Sequence, residues 1–211
     1  MENKKTGYFI TFEGADGSGK TTQLKMLKDY LESKGFEVVE TREPGAGDVG
    51  TQIRNILLHS DSNISEKCEM FLFLADRANH IETFIKPNLK AGKIVLCDRY
   101  IDSTIAYQGY GRGQNIDLLK KLNEIVAGTL KPDLTLLYDV STQTAMERVG
   151  KEKDRMESEG AVFHNKVRNG YLELCKEFPE RIKLIDANKS IEYVFENTKL
   201  VAEELLRSTN G

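Results

Sequence analysis

The sequence has few cysteines and prolines, no tryptophan and no long apolar run. Three cysteines lie far apart without a CxxC pair, and they indicate neither a disulfide framework nor a zinc site: Cys68, Cys97 and Cys175. No apolar run approaches the ~18 residues of a membrane span. The first apolar stretch, residues 8–12, is too short for the core of a signal peptide. We therefore expect a cytoplasmic protein with no membrane partner.

The sequence also lacks an excess of basic residues. Lysine and arginine number 30, aspartate and glutamate number 33, and the formal net charge at pH 7 is −3. A mildly acidic chain does not have the overall charge of a dedicated nucleic-acid-binding protein, so we expect no nucleic-acid partner. The chain has 211 residues, of which 39 % are hydrophobic, and no linker interrupts it. This composition predicts a single domain over residues 1–211.

Short apolar segments alternate with amphipathic ones along the chain. Five segments predict β-strands, at residues 8–12, 36–41, 93–97, 134–140 and 181–185. Apolar residues at helical spacing predict three helices with a face in the core: Leu24, Leu27 and Leu31; Ile116, Leu119, Leu122, Ile125 and Val126; and Val194, Leu200, Val201, Leu205 and Leu206. Gly35 is expected to end the first helix. Strands that alternate with helices predict an α/β fold with a doubly wound sheet.

A phosphate-binding loop is the strongest motif. Residues 14–21 match the pattern G-x-x-x-x-G-K-[ST] between a predicted strand and a predicted helix. Glycines let successive N–H groups point at one anion, and the helix N-terminus adds partial positive charge. The lysine supplies a charge to the β- and γ-phosphates, and the threonine hydroxyl is a hard ligand for Mg²⁺. The residues expected to bind the nucleoside triphosphate are Gly14, Ala15, Asp16, Gly17, Ser18, Gly19, Lys20, Thr21 and Thr22.

A phosphate-binding loop alone leaves several functions open. Switch GTPases, partition ATPases and small-molecule kinases all use this loop. Asp98 follows the predicted strand 93–97, where a carboxylate can hold Mg²⁺ or its waters, and Arg99 comes directly after it. The chain has no Asn-Lys-x-Asp guanine signature, which argues against a GTPase.

Several arginines occupy informative positions. Arg42 and Arg54 flank a loop after the second predicted strand. Phe73 and Arg77 are four residues apart on a predicted helix, so that they share a face and could together stack and hydrogen-bond a base. Residues 147–160 are polar and rich in charge, and this stretch predicts either a solvated surface or the basic lid of a kinase.

Taken together, six segments resemble bacterial thymidylate kinases, members of the P-loop nucleoside monophosphate kinase family, over essentially the whole chain. They are FEGADGSGKTT at 12–22, TREPG at 41–45, LFLADR at 72–77, DRYIDST at 98–104, AYQG at 106–109 and KPDLT at 131–135. The resemblance implies a five-stranded parallel sheet of the P-loop kinase fold, a homodimer, and transfer of the γ-phosphoryl group of ATP to dTMP, giving dTDP and ADP.

The resemblance implies roles on the phosphate side of the site. Lys20 and Thr21 would bind ATP and Mg²⁺, and Asp98 would bind the metal or its waters. Arg99 would contact the phosphates between donor and acceptor, and Arg42 the acceptor phosphate.

The resemblance also implies roles for the lid and the adenine. Some members of the family carry a catalytic arginine in the phosphate-binding loop where this chain has Gly17. We therefore expect Arg155 of the lid to cover the transferring group, with Lys151 and Lys153 as helpers. Arg148 would lie along the adenine or its phosphate.

On the acceptor side the resemblance implies a pocket for the base and the sugar. Phe73 would stack on thymine, while Arg77, Thr104 and Gln108 would read its edge; Asp16 and Tyr100 would contact the deoxyribose, and Arg54 would line the pocket. Tyr100 would crowd a 2′-hydroxyl. Two alternatives remain: another deoxynucleotide or deoxynucleoside kinase, and, more remotely, a P-loop switch or partition ATPase without a small-molecule acceptor.

Overall fold

Five parallel strands form one sheet in the order β2-β3-β1-β4-β5. The structure is a computed structural model that describes residues 7–59, 63–149 and 154–208. The strands are β1 (Tyr8–Glu13), β2 (Val38–Arg42), β3 (Ile94–Asp98), β4 (Leu134–Asp139) and β5 (Ile182–Asp186). All five predicted strands are confirmed, with ends that move by one or two residues. The doubly wound α/β fold is confirmed as well.

Helices connect the strands and cover both faces of the sheet. Their bounds are α1 (Lys20–Ser33), α2 (Gly47–Arg54), α3 (Glu66–His80), α4 (Lys86–Lys90), α5 (Ile101–Thr104), α6 (Ile116–Ala127), α7 (Thr142–Arg148), α8 (Ala161–Glu177) and α9 (Ile191–Ser208). Three π-helical segments continue α2, α3 and α5, at Asn55–His59, Ile81–Ile85 and Ile105–Gly111. In the described ranges, no helix combines the length and the apolar character that a membrane crossing requires.

The core is built on both faces of the central strand β1, because its alternate residues point to opposite sides of the sheet. Ile10 and Phe12 pack against α1 and α9, whereas Phe9 packs on the other face with Ile81 and Ile85. A second group of helices, α6 and α8 among them, surrounds the segment Ile105–Gly111. The sheet is therefore covered on both faces, which explains why its strands read as nearly continuous apolar runs.

Two residues of the predicted helical stripes are not in the core. Ile125 of α6 is 78 % exposed and Leu200 of α9 is 55 % exposed, so both predictions are wrong. Leu119 and Leu206 of the same stripes are buried as predicted, and the core also takes Ala127 of α6 and Ala202 of α9. The apolar stripe of each helix is wider than the face that the sheet covers, and the pattern alone cannot show which edge of the stripe is left outside.

The register of β1 and β3 brings the two main motifs to one end of the sheet. Phe12 lies opposite Asp98 in this parallel pair. The phosphate-binding loop follows β1 and the Asp98-Arg99-Tyr100 segment follows β3, so both emerge at the carboxyl ends of adjacent strands. Ligands of open α/β sheets bind at this edge.

Leu27 allows a test of the core formed by α1. Its side chain is completely buried, so Leu27→Ala is expected to lower the free energy of unfolding by about 2–5 kcal/mol through lost burial and the cavity left behind. Leu200→Ala makes the same change on an exposed helical position and is expected to cost less than about 1 kcal/mol. Urea denaturation of both variants measures the difference. Equal losses would contradict this packing of α1.

Candidate active site

The phosphate-binding loop curls tightly between β1 and α1. Gly14 and Gly17 have φ angles of 137° and 77°, in the range that favours glycine. A Cβ on Gly17 would lie 2.3 Å from the carbonyl oxygen of Ala145 in α7, so no side chain fits there. Lys20 begins α1, is buried, and donates from Nζ to the carbonyl of Ala15 at 2.9 Å. The loop is thus a preformed backbone cradle with one lysine at its mouth.

Thr21 and Asp98 form the candidate metal site. The Thr21 hydroxyl donates to Oδ2 of Asp98 at 3.0 Å, and Oδ1 of Asp98 is buried without a hydrogen-bond partner among the described residues. The described ranges contain no cluster of three or more His, Cys, Asp or Glu side chains that could cage a metal. Mg²⁺ is commonly held by one or two protein oxygens together with water and substrate phosphates, so this donor set fits it.

A strained turn places Arg99. Its φ angle is 72°, the one non-glycine residue with positive φ in the described chain. Two hydrogen bonds fix the turn: the Arg99 N–H donates to the carbonyl of Phe12 at 3.0 Å, and the Tyr100 N–H donates to Oε1 of Glu13 at 2.7 Å. The Arg99 guanidinium then reaches Asp16, with 2.5 Å between Nη2 and Oδ1. This ion pair holds the pKa of the Asp16 carboxyl well below its usual range despite burial.

Four cations face one cavity of about 350 Å³ above the phosphate-binding loop: Lys20, Arg42, Arg54 and Arg99. Burial and the neighbouring charge of Arg42 lower the pKa of Arg54, and burial and Arg99 lower the pKa of Lys20. Cations that disfavour one another's charge are stabilised when a polyanion enters between them. We call this space the phosphate cavity.

A second cavity of about 120 Å³ adjoins the first and shares Asp16, Arg54 and Arg99 with it. Phe73 forms a half-buried aromatic wall of this cavity. Arg77, Thr104 and Gln108, the other three residues expected to contact a base, line the same cavity. We call it the base cavity. Arg99 lies on the wall of both cavities, between a site for phosphates and a site for a flat ring.

Arg77 is held rigidly at the base cavity. It is 2 % exposed, and four of its five N–H groups are paired within the described chain. Nε donates to Glu43 at 2.8 Å, and Nη2 donates to the carbonyl of Tyr100 at 2.9 Å. Nη1 donates to both Thr104 and Asn123, at 2.7 Å each. One N–H on Nη2 is left for a ligand.

Tyr100 does not occupy the expected place beside a sugar. Its ring is fully buried beneath Arg77, 5.2 Å from the guanidinium carbon, and its hydroxyl donates to the carbonyl of Leu130. Tyr107 lines the base cavity instead, and its hydroxyl donates to Asp16 at 3.0 Å. The expected role of Tyr100 is therefore corrected: the buried guanidinium needs an aromatic face and a carbonyl next to it, and Tyr100 supplies both.

Arg155 does not line the phosphate cavity either. Its Nε donates to the carbonyl of Leu57 at 2.7 Å, and its Nη2 lies 2.7 Å from Oε2 of Glu69. The placement over a transferring group is thus corrected, because the buried Glu69 carboxylate attracts this cation. The expected helpers Lys151 and Lys153 lie outside the described residues.

Arg148 is exposed at the end of α7. It donates from Nη1 to the carbonyl of Ala187, which follows β5, at 3.1 Å. Arg148 thus ends the helix that packs against the phosphate-binding loop, and it lines neither cavity.

Five site residues were not assigned from the sequence: Glu13, Glu69, Ser103, Tyr107 and Tyr171. Ser103 and Tyr107 are four residues apart and flank Thr104, and this helical spacing could have revealed them. Tyr171 has no such local signal. Its hydroxyl donates to Glu13 at 2.8 Å, although the two residues are 158 positions apart in the sequence.

Known proteins resemble this chain over nearly its whole length. The family model described as thymidylate kinase matches residues 12–198. The thymidylate kinase of Syntrophotalea carbinolica is 46 % identical over 213 residues, which covers 97 % of this chain and 99 % of that relative. The thymidylate kinase of Protochlamydia amoebophila is 48 % identical, with 95 % and 94 % covered. A solved thymidylate kinase structure from Ehrlichia chaffeensis superposes with a TM-score of 0.77 at 38 % identity, covering 93 % of this chain and 98 % of that one.

Glu13 allows a test by pH. Burial and the charge of Asp102 raise the pKa of its carboxyl from 4.5 to about 7. The folded state therefore holds this proton more tightly than the unfolded state, so the stability that the protonated form provides is complete below pH 4.5 and is lost as pH rises through 7. Glu13→Gln cannot ionise, and its free energy of unfolding is expected to rise relative to the wild type between these pH values.

Urea denaturation at pH values from 4 to 9 checks this expectation. The exposed Glu147 provides the matched control, and Glu147→Gln is expected to follow the wild-type pH profile. A Glu13→Gln profile parallel to the wild type over the whole range would show that Glu13 takes no part in the pH dependence.

Proposed function

We propose that this chain, which belongs to the thymidylate kinase family, transfers the γ-phosphoryl group of ATP to dTMP and so forms dTDP and ADP. The observation that carries the proposal is the pair of adjoining cavities joined by Arg99. One has the cradle and cations for a triphosphate and an acceptor phosphate. The other has an aromatic wall and fixed polar groups for a base.

The acceptor is a nucleoside monophosphate, since Arg42 and Arg54 lie in the phosphate cavity beyond the phosphate-binding loop. A deoxynucleoside kinase accepts a neutral 5′-hydroxyl and has no use for two further cations at that place. A switch or partition ATPase would need no base cavity at all. Both alternatives are therefore less favoured than a monophosphate kinase.

Thymine suits the polar groups of the base cavity. It presents O4 as an acceptor and N3–H as a donor, whereas cytosine presents an amino donor and an N3 acceptor at the same places. Arg77 can only donate, and its remaining N–H would bond to O4. Gln108 would accept from N3–H. Phe73 would stack on the ring.

The deoxyribose would lie at the junction of the two cavities. Tyr107 and Asp16 line this junction and are hydrogen-bonded to each other. We assign to Tyr107 the crowding of a 2′-hydroxyl that the family resemblance implies for Tyr100. Asp16 stays a candidate contact to the sugar.

ATP would be held by the phosphate-binding loop, with Lys20 at its β- and γ-phosphates. Mg²⁺, when bound next to Thr21 and Asp98, would neutralise charge on the donor phosphates. Phosphoryl transfer depends mainly on positioning and on charge stabilisation. With no side chain at Gly17 and Arg155 engaged elsewhere, Lys20 and Arg99 are the cations proposed to stabilise the transferring group. Arg148 stays a candidate for the adenine side.

A panel of acceptors tests the proposal by coupled measurement of ADP release. We expect kcat/KM to be highest for dTMP and lower for dUMP by about tenfold or more, because one methyl group in an apolar pocket is worth ~1–3 kcal/mol. Values for dCMP and UMP are expected to be lower still, through unpaired buried groups and the crowded 2′-hydroxyl. ADP release that is independent of the acceptor would indicate an ATPase. Preference for thymidine over dTMP would indicate a nucleoside kinase.

We propose further that the protein is a homodimer. Exposed apolar side chains on α3 and α6 support this, namely Phe71, Leu118 and Ile125, which are each more than half exposed. Sedimentation equilibrium is expected to give twice the chain mass of 23.8 kDa, and Ile125→Glu is expected to shift the population toward monomer. A wild-type mass of one chain at micromolar concentration would contradict the proposal.

The single domain over residues 1–211 and the cytoplasmic location stay predictions.

A further inference from the structure

A buried carboxylate lies directly behind the base cavity. Glu69 is on α3, is 1 % exposed, and does not itself line the cavity. Its Oε1 accepts from Nε2 of Gln108 at 3.0 Å and from Nε of Arg112 at 3.3 Å. Its Oε2 lies 3.2 Å from Nη2 of Arg112 and 2.7 Å from Nη2 of Arg155. The mechanism proposed above uses none of these contacts.

The contact with Glu69 decides which way the Gln108 amide faces. An ionised carboxylate can only accept hydrogen bonds, so the Gln108 group next to it must be the NH₂. The amide oxygen of Gln108 then belongs to the side that lines the base cavity, and no described residue donates to it. The cavity therefore presents an acceptor at this point.

We propose that Glu69 is a specificity-determining residue, because it fixes the Gln108 amide so that only a base with an N–H donor opposite Gln108 is accepted. This inference rests on the proposed function, since it concerns which pyrimidine monophosphate the same site selects. Glu69 is a positioning residue that acts through Gln108. An unrestrained glutamine could turn over by 180° and offer its NH₂ to cytosine N3.

The two arginines are what make the restraint strong. Together they neutralise the buried carboxylate. The hydrogen bonds from Gln108 and Arg112, with the Arg155 guanidinium close by, keep the pKa of Glu69 below its ordinary value despite burial. A protonated Glu69 would have a donor of its own and could accommodate the turned amide. This accounts for the position of Arg155, which helps to hold the side chains that recognise the base.

Glu69→Gln is expected to reverse the restraint without removing volume. The new amide oxygen is expected to stay at the Oε2 position, because Nη2 of Arg155 lies 2.7 Å and Nη2 of Arg112 3.2 Å from Oε2, whereas Oε1 has one guanidinium nitrogen near it, Nε of Arg112 at 3.3 Å. The new NH₂ group then takes the Oε1 position and points at Gln108. Two NH₂ groups cannot face each other, so the Gln108 amide turns, accepts from residue 69 and presents its NH₂ to the base.

Steady-state kinetics with dTMP and 5-methyl-dCMP test this inference. These two acceptors share the 5-methyl group and differ only at positions 3 and 4 of the ring. In Glu69→Gln, kcat/KM for 5-methyl-dCMP is expected to rise and that for dTMP to fall, so that their ratio changes by about tenfold or more. Glu159→Gln is the matched control, because Glu159 also pairs with Arg112 but does not touch Gln108. Its ratio is expected to equal that of the wild type.

The double variant Glu69→Gln/Gln108→Met separates action through Gln108 from a general loss of structure. Its dTMP to 5-methyl-dCMP ratio is expected to equal that of Gln108→Met alone. A Glu69→Gln ratio equal to that of the wild type, in an enzyme that still phosphorylates dTMP, would overturn this inference and leave the proposed function intact. A wild type without activity on dTMP would overturn the proposed function itself.

A measurement on the wild type covers the case in which Glu69→Gln does not fold. The side-chain NH₂ protons of Gln108, assigned by comparison with Gln108→Met, are expected to exchange with solvent at least tenfold more slowly than those of the exposed Gln52. Exchange at the rate of Gln52 would show that Glu69 does not hold the amide, and the inference would be wrong.

Discussion

The turn at Arg99 is the constraint on which the site depends. A non-glycine residue in the left-handed region costs about 1–3 kcal/mol and persists only where its surroundings impose it. Here the imposing groups are the Phe12 carbonyl and the buried Glu13 carboxylate, both on β1. The turn aims Arg99 between the two cavities and sends Tyr100 into the core beneath Arg77. One local distortion thus positions Arg99 and supplies two of the groups around Arg77, the ring and the carbonyl of Tyr100.

Buried charge is used throughout to hold polar groups still. Arg77 is paired with Glu43, which is hydrogen-bonded in turn to His80 at 2.9 Å. Arg181, directly before β5, is paired with Asp102 of α5. A buried ion is costly unless its partners are complete, so each of these networks tolerates little rearrangement. Base discrimination needs such rigidity, because a donor that can rotate away cannot distinguish one base from another. Glu69 and its two arginines extend the same principle from Arg77 to Gln108.

The phosphate cavity is arranged differently. Of its four cations, Arg99 is paired with the Asp16 carboxylate, whereas the ion pairs among the described residues include none for Lys20, Arg42 or Arg54. Burial and the charge of Arg42 lower the pKa of Arg54, and burial and the charge of Arg99 lower the pKa of Lys20. An anionic ligand in this cavity would give Lys20, Arg42 and Arg54 an opposite charge next to them. The two cavities therefore differ in kind: the base cavity holds its polar groups in fixed hydrogen bonds and selects by shape and polarity, whereas most cations of the phosphate cavity gain their partners from the substrates.

The sequence by itself was sufficient for the five strands, the phosphate-binding loop, and the positions of Asp98 and Arg99 at the end of a buried strand. These features are local: they follow from apolar periodicity, glycine conformation and the spacing of a short motif. Only the tertiary structure decided where the long side chains went. Arg155 bonds to Glu69 rather than covering the phosphates, and Tyr100 lies beneath Arg77 rather than beside the sugar. The physical reason is that a buried charge must be matched by whichever opposite charge the fold brings near, and sequence periodicity carries no information about that partner.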